Sequence, residues 1–204
     1  MLNLPKVTEV NRFLPKKSIY SKFNVSVKDR DLFDAGVKKI TISNQISASS
    51  INVSAGDSVG SIYVVHILLK SVDFDERLIS KLAKWIDQRI LFVLEFEGRS
   101  RLAVNHVKLL LSDWSACDDL SIKISGLSLD SVWEGIVAQV GQVRLVSGCS
   151  LDEQIVIEDK KHRLAKQIEL LEKQARSERQ PKKKFELVQK IKTLEAELRA
   201  GEKT

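Results

Sequence analysis

The chain has 204 residues, 43% of them hydrophobic, which suits one compact domain plus an appendage and leaves no room for two independent catalytic domains. The two cysteines, Cys117 and Cys149, form no CxxC pair and lack a neighbouring histidine, which argues against a disulfide scaffold or a structural zinc site. The formal charge of +6 is uneven: residues 1–40 carry nine Lys or Arg against four acids, residues 41–149 ten against twelve, and residues 150–204 fourteen against eleven.

From the N-terminus, residues 1–6 hold no apolar leader. The longest near-continuous apolar run, residues 62–69, is broken by His66 and too short to cross a bilayer, so a cytoplasmic protein with no membrane segment is expected. Thr8 is placed to cap a short helix that Pro15 ends. Ser26 precedes a helical pattern with Leu32, Phe33, Val37 and Ile40 on its apolar positions. A strand is expected near residues 40–42, then a polar Ser/Asn-rich loop to Gly60 with a short strand at residues 51–53.

Residues 61–70, rich in Val, Ile and Tyr, predict a central strand buried on both faces. Leu78, Ile79, Leu82, Trp85 and Ile86 form one helical stripe suited to covering a sheet. Residues 90–108 predict a hairpin turning at Gly98-Arg99-Ser100. If Glu97 faces Arg101, alternation puts Phe92, Leu94, Phe96, Leu102, Val104 and His106 on a core face and Glu95, Glu97 and Arg101 on a wetter one. Leu120, Ile122 and Ile124 alternate as a strand, and Leu129, Val132, Trp133, Ile136, Val137 and Val140 make an amphipathic helix. Residues 141–148 suggest a last strand, and Ser150-Leu151-Asp152-Glu153 has the form of a capping box. The body is therefore assigned to residues 1–149 and a helical appendage to residues 150–204.

In the appendage Leu164, Ile168, Leu171 and Ala175 step by four, three and four residues, as do Leu187, Ile191, Leu194 and Leu198. The twelve-residue gap between the two sets is out of phase with one continuous heptad and contains Pro181. An antiparallel, coiled-coil-like hairpin folding back about Pro181 pairs Ala175 with Leu187 and Leu164 with Leu198; a homodimer satisfies the same seams. The bend would hold Arg176, Arg179, Lys182, Lys183 and Lys184 within nine residues, opposed only by Glu178. Such a cluster suits phosphate contact, and a solvated turn is the plainer alternative. A second basic stretch interleaves Lys6, Arg12, Lys16, Lys17 and Lys22 with Phe13, Tyr20 and Phe23, the mixture that grips single strands by charge and stacking. Anchoring of the aromatics in the core, with the lysines left in water, is the plainer alternative.

Catalytic motifs are sparse. Glu95 and Glu97 share one strand face, the geometry a magnesium-dependent nuclease uses, but the expected lysine is missing and a Glu97–Arg101 ion pair explains the same residues. The three histidines His66, His106 and His162 lie on different elements, though His66 and His106 are able to meet across the sheet. The glycines form no nucleotide fingerprint, so no cofactor or metal is expected.

Leu4-Pro5-Lys6-x-Thr8-Glu9-Val10-Asn11, Pro15-Lys16-Lys17, Ile90-Leu91-Phe92-Val93-Leu94-Glu95-Phe96-Glu97-Gly98, Val132-Trp133-Glu134 and Glu178-Arg179-Gln180-Pro181-Lys182-Lys183-Lys184 together resemble the bacterial domain of unknown function numbered 4391. The resemblance spans nearly the whole chain and transfers no catalytic residue. It implies an accessory role beside helicases and DNA methyltransferases in restriction-like or phage-defence loci. The expected molecule is an α/β (α+β) protein with a mixed sheet, flanking helices and a C-terminal antiparallel helical hairpin. Its expected role is that of an adaptor bound to a larger subunit and in reach of DNA. A divergent nuclease using Glu95 and Glu97 and a stand-alone nucleic-acid-binding module are the alternatives.

Overall fold

The computed structural model describes residues 2–143 and 148–200. The chain divides into two compact units, Met1–Val143 and Arg144–Thr204.

The first unit opens with a 3-10 turn at Lys6–Thr8 and runs into strand β1 (Glu9–Phe13). No helix forms under Thr8, whose hydroxyl donates to Pro5 O and so closes the tight turn instead of capping a longer helix. β1 is exposed at every residue and carries a register shift between Glu9 and Arg12, with Asn11 at φ 48°, so it shows no buried alternation in sequence. Helices α1 (Lys16–Lys22) and α2 (Val27–Gly36) follow, the latter capped by Ser26 accepting from Asp29 N. Val37 and Ile40, read from sequence as helical, begin strand β2 (Val37–Ile46).

The expected strand at residues 51–53 is replaced by one helical turn, α3 (Ala48–Ile51). Here Ser47 and Ser50 form a reciprocal capping box that overrides the β-branched residues beside it. β3 (Ile62–Leu69) is the central strand as expected, antiparallel to β2 and parallel to its other neighbour, β4 (Arg89–Phe96). The parallel pair is joined through α4 (Arg77–Ile86), which buries Leu78, Ile79, Leu82 and Ala83.

β4 turns directly into β5 (Arg99–Asn105) through Glu97 and Gly98, at φ 47° and 76°, a two-residue turn whose dihedral signs match the strand twist. Phe96 therefore pairs with Arg99, Glu95 with Ser100 and Leu94 with Arg101. The expected facing of Glu97 and Arg101 is overturned, and with it the face assignment. Because alternation has period two, Leu102 and Val104 share a face with Val93 and Leu91 and not with Phe92 and Leu94. That second face is not wet: Leu91, Val93, Leu102 and Val104 are all buried.

β6 (Leu109–Leu111) and β7 (Ser115–Ala116) both pair with β5. Seven strands among the described residues thus form one mixed sheet in the order β1-β2-β3-β4-β5-β6, with β7 also on β5. One face packs against α1, α2 and α4 through a core that includes Phe33, Ile40, Val65, Ile67, Leu82, Phe92 and Leu94. Trp114, unassigned from sequence, packs at the edge of that core beneath the Arg101 guanidinium, 5.5 Å from its ring centre. Helix α5 (Leu129–Gly141) contacts β5 and β6 and buries Val132, Trp133, Ile136 and Val137. The alternation of Leu120, Ile122 and Ile124 does not make a ladder strand. Leu120 and Ile122 are buried, but this stretch forms only an isolated bridge between Ser121 and Leu2. The expected last strand at residues 141–148 falls largely on positions outside the described residues.

The second unit contains helix α6 (Leu151–Ser177), residues 178–180, and helix α7 (Pro181–Ala200), with α6 and α7 packed against each other. A three-residue connection forces the helices antiparallel, which is the predicted hairpin. Ile168 and Ala175 are buried and Leu164, Leu171, Leu187, Ile191, Leu194 and Leu198 half-buried, so both apolar seams lie in the contact.

Candidate functional site

The start of α6 is fixed by the capping box read from sequence: Ser150 Oγ accepts from Glu153 N while Glu153 Oε2 accepts from Ser150 N at 2.9 Å. Hydrogen bonds from the Ser150 N–H and hydroxyl hold the Glu153 carboxyl below its usual range. At the other end, the Ser177 hydroxyl donates to Lys173 O and Gln174 O, closing the last turn. Pro181 then opens α7 at a position where its missing N–H leaves no bond unmade.

The bend between them is built to leave cations unopposed. Its one acid, Glu178, spends an oxygen on Gln180 N at 2.8 Å rather than on a lysine. Arg176 reaches back to Glu172 at 3.3 Å, as Lys161, Arg163 and Lys173 reach Glu158, Asp159 and Glu169 one turn earlier. Arg179, Lys182, Lys183 and Lys184 make no ion pair among the described residues, and all four are exposed. Three of them occupy the first turn of α7, which carries no acid. The N-terminal end of a helix dipole disfavours cations by roughly 0.3–1 kcal/mol each, so these lysines work against the helix that presents them. A groove of about 630 Å³ runs along the bend between Gln174, Arg179, Lys183 and Lys190.

The N-terminal basic residues divide among separate places, and of them only Arg12 and Lys22 line one groove among the described residues. Lys16 is committed to the fold, with Nζ 2.6 Å from Asp34 Oδ1 and 3.0 Å from Val37 O. The Lys16 hydrogen bond, joined by one from Tyr20, holds the Asp34 carboxyl below the ordinary carboxylate range. Burial and Asp34 in turn push the Tyr20 phenol up. Lys6 and Lys17 are exposed at separate places, on the 3-10 turn and on α1. Arg12 lines a groove on the face of the sheet that α1 and α4 flank.

Glu95 and Glu97 are not brought together. Glu97 sits in the left-handed turn and is exposed, whereas Glu95 is tied by its Oε2 to His66 Nε2 at 2.6 Å on the neighbouring parallel strand. That pair was invisible without the β3–β4 register, because 29 residues separate its members. His106 does not meet His66; its ring packs edge-on against Trp133, with centroids 6.2 Å apart. Among the described residues no group of three or more His, Cys, Asp or Glu side chains is placed to hold a metal ion, and no helix is long and apolar enough to cross a membrane.

A second polar cluster escaped sequence reading. Asp130, on the first turn of α5, receives hydrogen bonds from Asp57 N, Ser58 N, Ser58 Oγ and Val59 N, gathering the loop that precedes β3. Burial alone would raise its carboxyl, but these four donors outweigh that and hold it low.

No curated protein and no solved structure matches the chain. A family profile described as a domain of unknown function matches residues 2–198, which takes in the sheet, the flanking helices and both arms of the hairpin. By that match the chain belongs to the DUF4391 family.

Proposed function

We propose that this protein is a non-catalytic adaptor of a DNA-processing assembly. The bend of its helical hairpin rests on the phosphate backbone of nucleic acid, and the outer faces of α6 and α7 meet a larger protein subunit of the helicase or methyltransferase kind. The observation that carries this reading is the set of four cations, Arg179, Lys182, Lys183 and Lys184, packed within six residues at the bend and unpaired among the described residues. A solvated turn needs no such density, and the helix dipole opposes it, whereas phosphates compensate both the charge and the dipole. Leu170 and Phe185, 57% and 64% exposed on helices whose mutual seam is already filled, offer apolar surface to a protein partner. The genomic setting implied by the family resemblance, beside helicases and methyltransferases in restriction-like or phage-defence loci, agrees with that assignment.

Glu95 and Glu97 have no part in it, since one is bonded to His66 and the other lies in a turn. The test is fluorescence anisotropy of labelled duplex DNA with full-length protein and with a variant carrying Arg179, Lys182, Lys183 and Lys184 all changed to serine. The expected outcome is at least about tenfold weaker binding at low salt with an unchanged circular dichroism spectrum. Equal binding by the two proteins contradicts the reading.

A further inference from the structure

A second recognition site lies on the body, independent of the hairpin. The groove that Arg12 lines has a volume of about 460 Å³, within the range of small-molecule sites. Its floor is the sheet itself, through Ile42, Val65 and Ile90. Its rim brings together Arg12 from β1, and Lys22 and Phe23 from the end of α1. These residues are separated by ten positions in sequence, and the fold of β1 along β2 makes them neighbours of one cavity.

The chemistry of the lining is selective. None of the described residues around it is acidic, so its two cations face no internal counter-charge: among the described residues Arg12 makes no ion pair, and Lys22 lies over the Phe23 ring, 5.4 Å from its centre. The site therefore favours an anion. Two carboxamides, Gln45 and Gln88, and the Tyr63 phenol supply donors and acceptors beside the apolar floor. Among the described residues the Gln45 side chain makes long contacts, 3.4 Å to Tyr63 Oη and 3.5 Å to Ser61 Oγ, which a ligand's edge can replace at little cost. Phe23 and Tyr63 add aromatic surface. An acyl chain would use the floor and the cations but would leave both carboxamides without a purpose. A planar heterocycle with a hydrogen-bonding edge, joined to a phosphate, uses all of them.

We infer that this groove binds a nucleotide through its base and a phosphate, with Arg12 and Lys22 holding the phosphate and Gln45, Gln88, Phe23 and Tyr63 receiving the base. The nucleotide is either a free nucleoside monophosphate or the 5′ end of a single strand, and the chemistry recognised is the same.

Isothermal titration of the full chain with adenosine monophosphate, with 5′-phosphorylated oligo(dT), with adenosine and with laurate tests this inference. Binding of either phosphorylated probe, weakened at least about tenfold by Arg12→Glu together with Lys22→Glu, supports it. Which of the two binds tells a free nucleotide from a strand end. Both substitutions are at exposed positions, and an unchanged circular dichroism spectrum confirms the fold. The serine variant of the hairpin bend should retain this binding, which separates failure here from failure of the adaptor reading. No binding of either phosphorylated probe, binding indifferent to the two substitutions, adenosine binding as tightly as its monophosphate, or laurate alone binding each overturns the inference.

Discussion

His66 Nε2 lies 2.6 Å from Glu95 Oε2 across the parallel β3–β4 pair, with 24% and 23% of the two side chains exposed. Truncating one partner leaves a largely desolvated polar group without its bond, a loss of about 1–3 kcal/mol. Glu95→Ala should therefore lower the urea midpoint by that equivalent while duplex DNA binding stays at its wild-type level. His66→Ala should cost a similar amount, and the double variant less than the sum of the two. Additive losses, or DNA binding abolished by Glu95→Ala alone, would count against a structural role for the pair.

Acid should loosen the contact between α1 and α2. The Asp34 carboxyl is held below its ordinary value chiefly by the Lys16 hydrogen bond. A carboxyl whose folded pKa is depressed contributes stability above its unfolded pKa and loses it as pH falls through the folded value. The wild-type melting temperature should thus drop as pH descends below about 4, and Asp34→Asn, lower in stability at neutral pH, should drop less steeply there. Parallel curves for the two proteins would show that Asp34 contributes nothing to the acid transition.

Gly126 stands at φ 146°, and a Cβ there would lie 2.5 Å from Ser131 Oγ and 2.9 Å from Val132 N. Ser131 is half of the capping box that starts α5, so the collision falls on the helix's own start signal. Gly126→Ala should destabilise the first unit by about 1–3 kcal/mol, read as a shift in chemical denaturation midpoint. A neutral effect would show that the loop moves freely away.

What was legible in the chain depended on whether local pattern and tertiary context agreed. The α4 stripe and the α6 and α7 seams repeat at helical spacing, and α6 and α7 open on a capping box and a proline, so pattern and context point the same way. β1 left no trace, because a strand exposed at every residue has no buried alternation to read. The β4–β5 turn was misplaced because Gly98 suggested a loop centred after it. The actual turn begins at Glu97, a residue type that seldom adopts φ near +47°, and the resulting odd register error exchanged the two faces of β5. The bend lysines were legible as a cluster, but the absence of ion pairs among the described residues at four of the five cations emerged only from geometry, as did the bond that turns Glu178 away from them. The His66–Glu95 pair and the Arg12–Lys22 groove arise from strand pairing and chain packing, which sequence spacing does not encode.

The hairpin itself depends on its seam. Ile168 is 9% exposed between the two helices, and Ile168→Glu buries a charge where no partner is supplied. Hydrogen exchange should then show amide protection lost along α7 while β3 and β4 keep theirs. Retained protection in α7 would mean that the helices hold together by other contacts.

The central claim is that the bend of the hairpin meets phosphates. Its most direct test is the slope of log K against log salt for duplex DNA, measured with the wild type and with the Arg179, Lys182, Lys183 and Lys184 serine variant. Each phosphate contact contributes about 0.9 to that slope, so loss of all four should flatten it by about 3 to 4. Superimposable slopes for the two proteins would contradict the account.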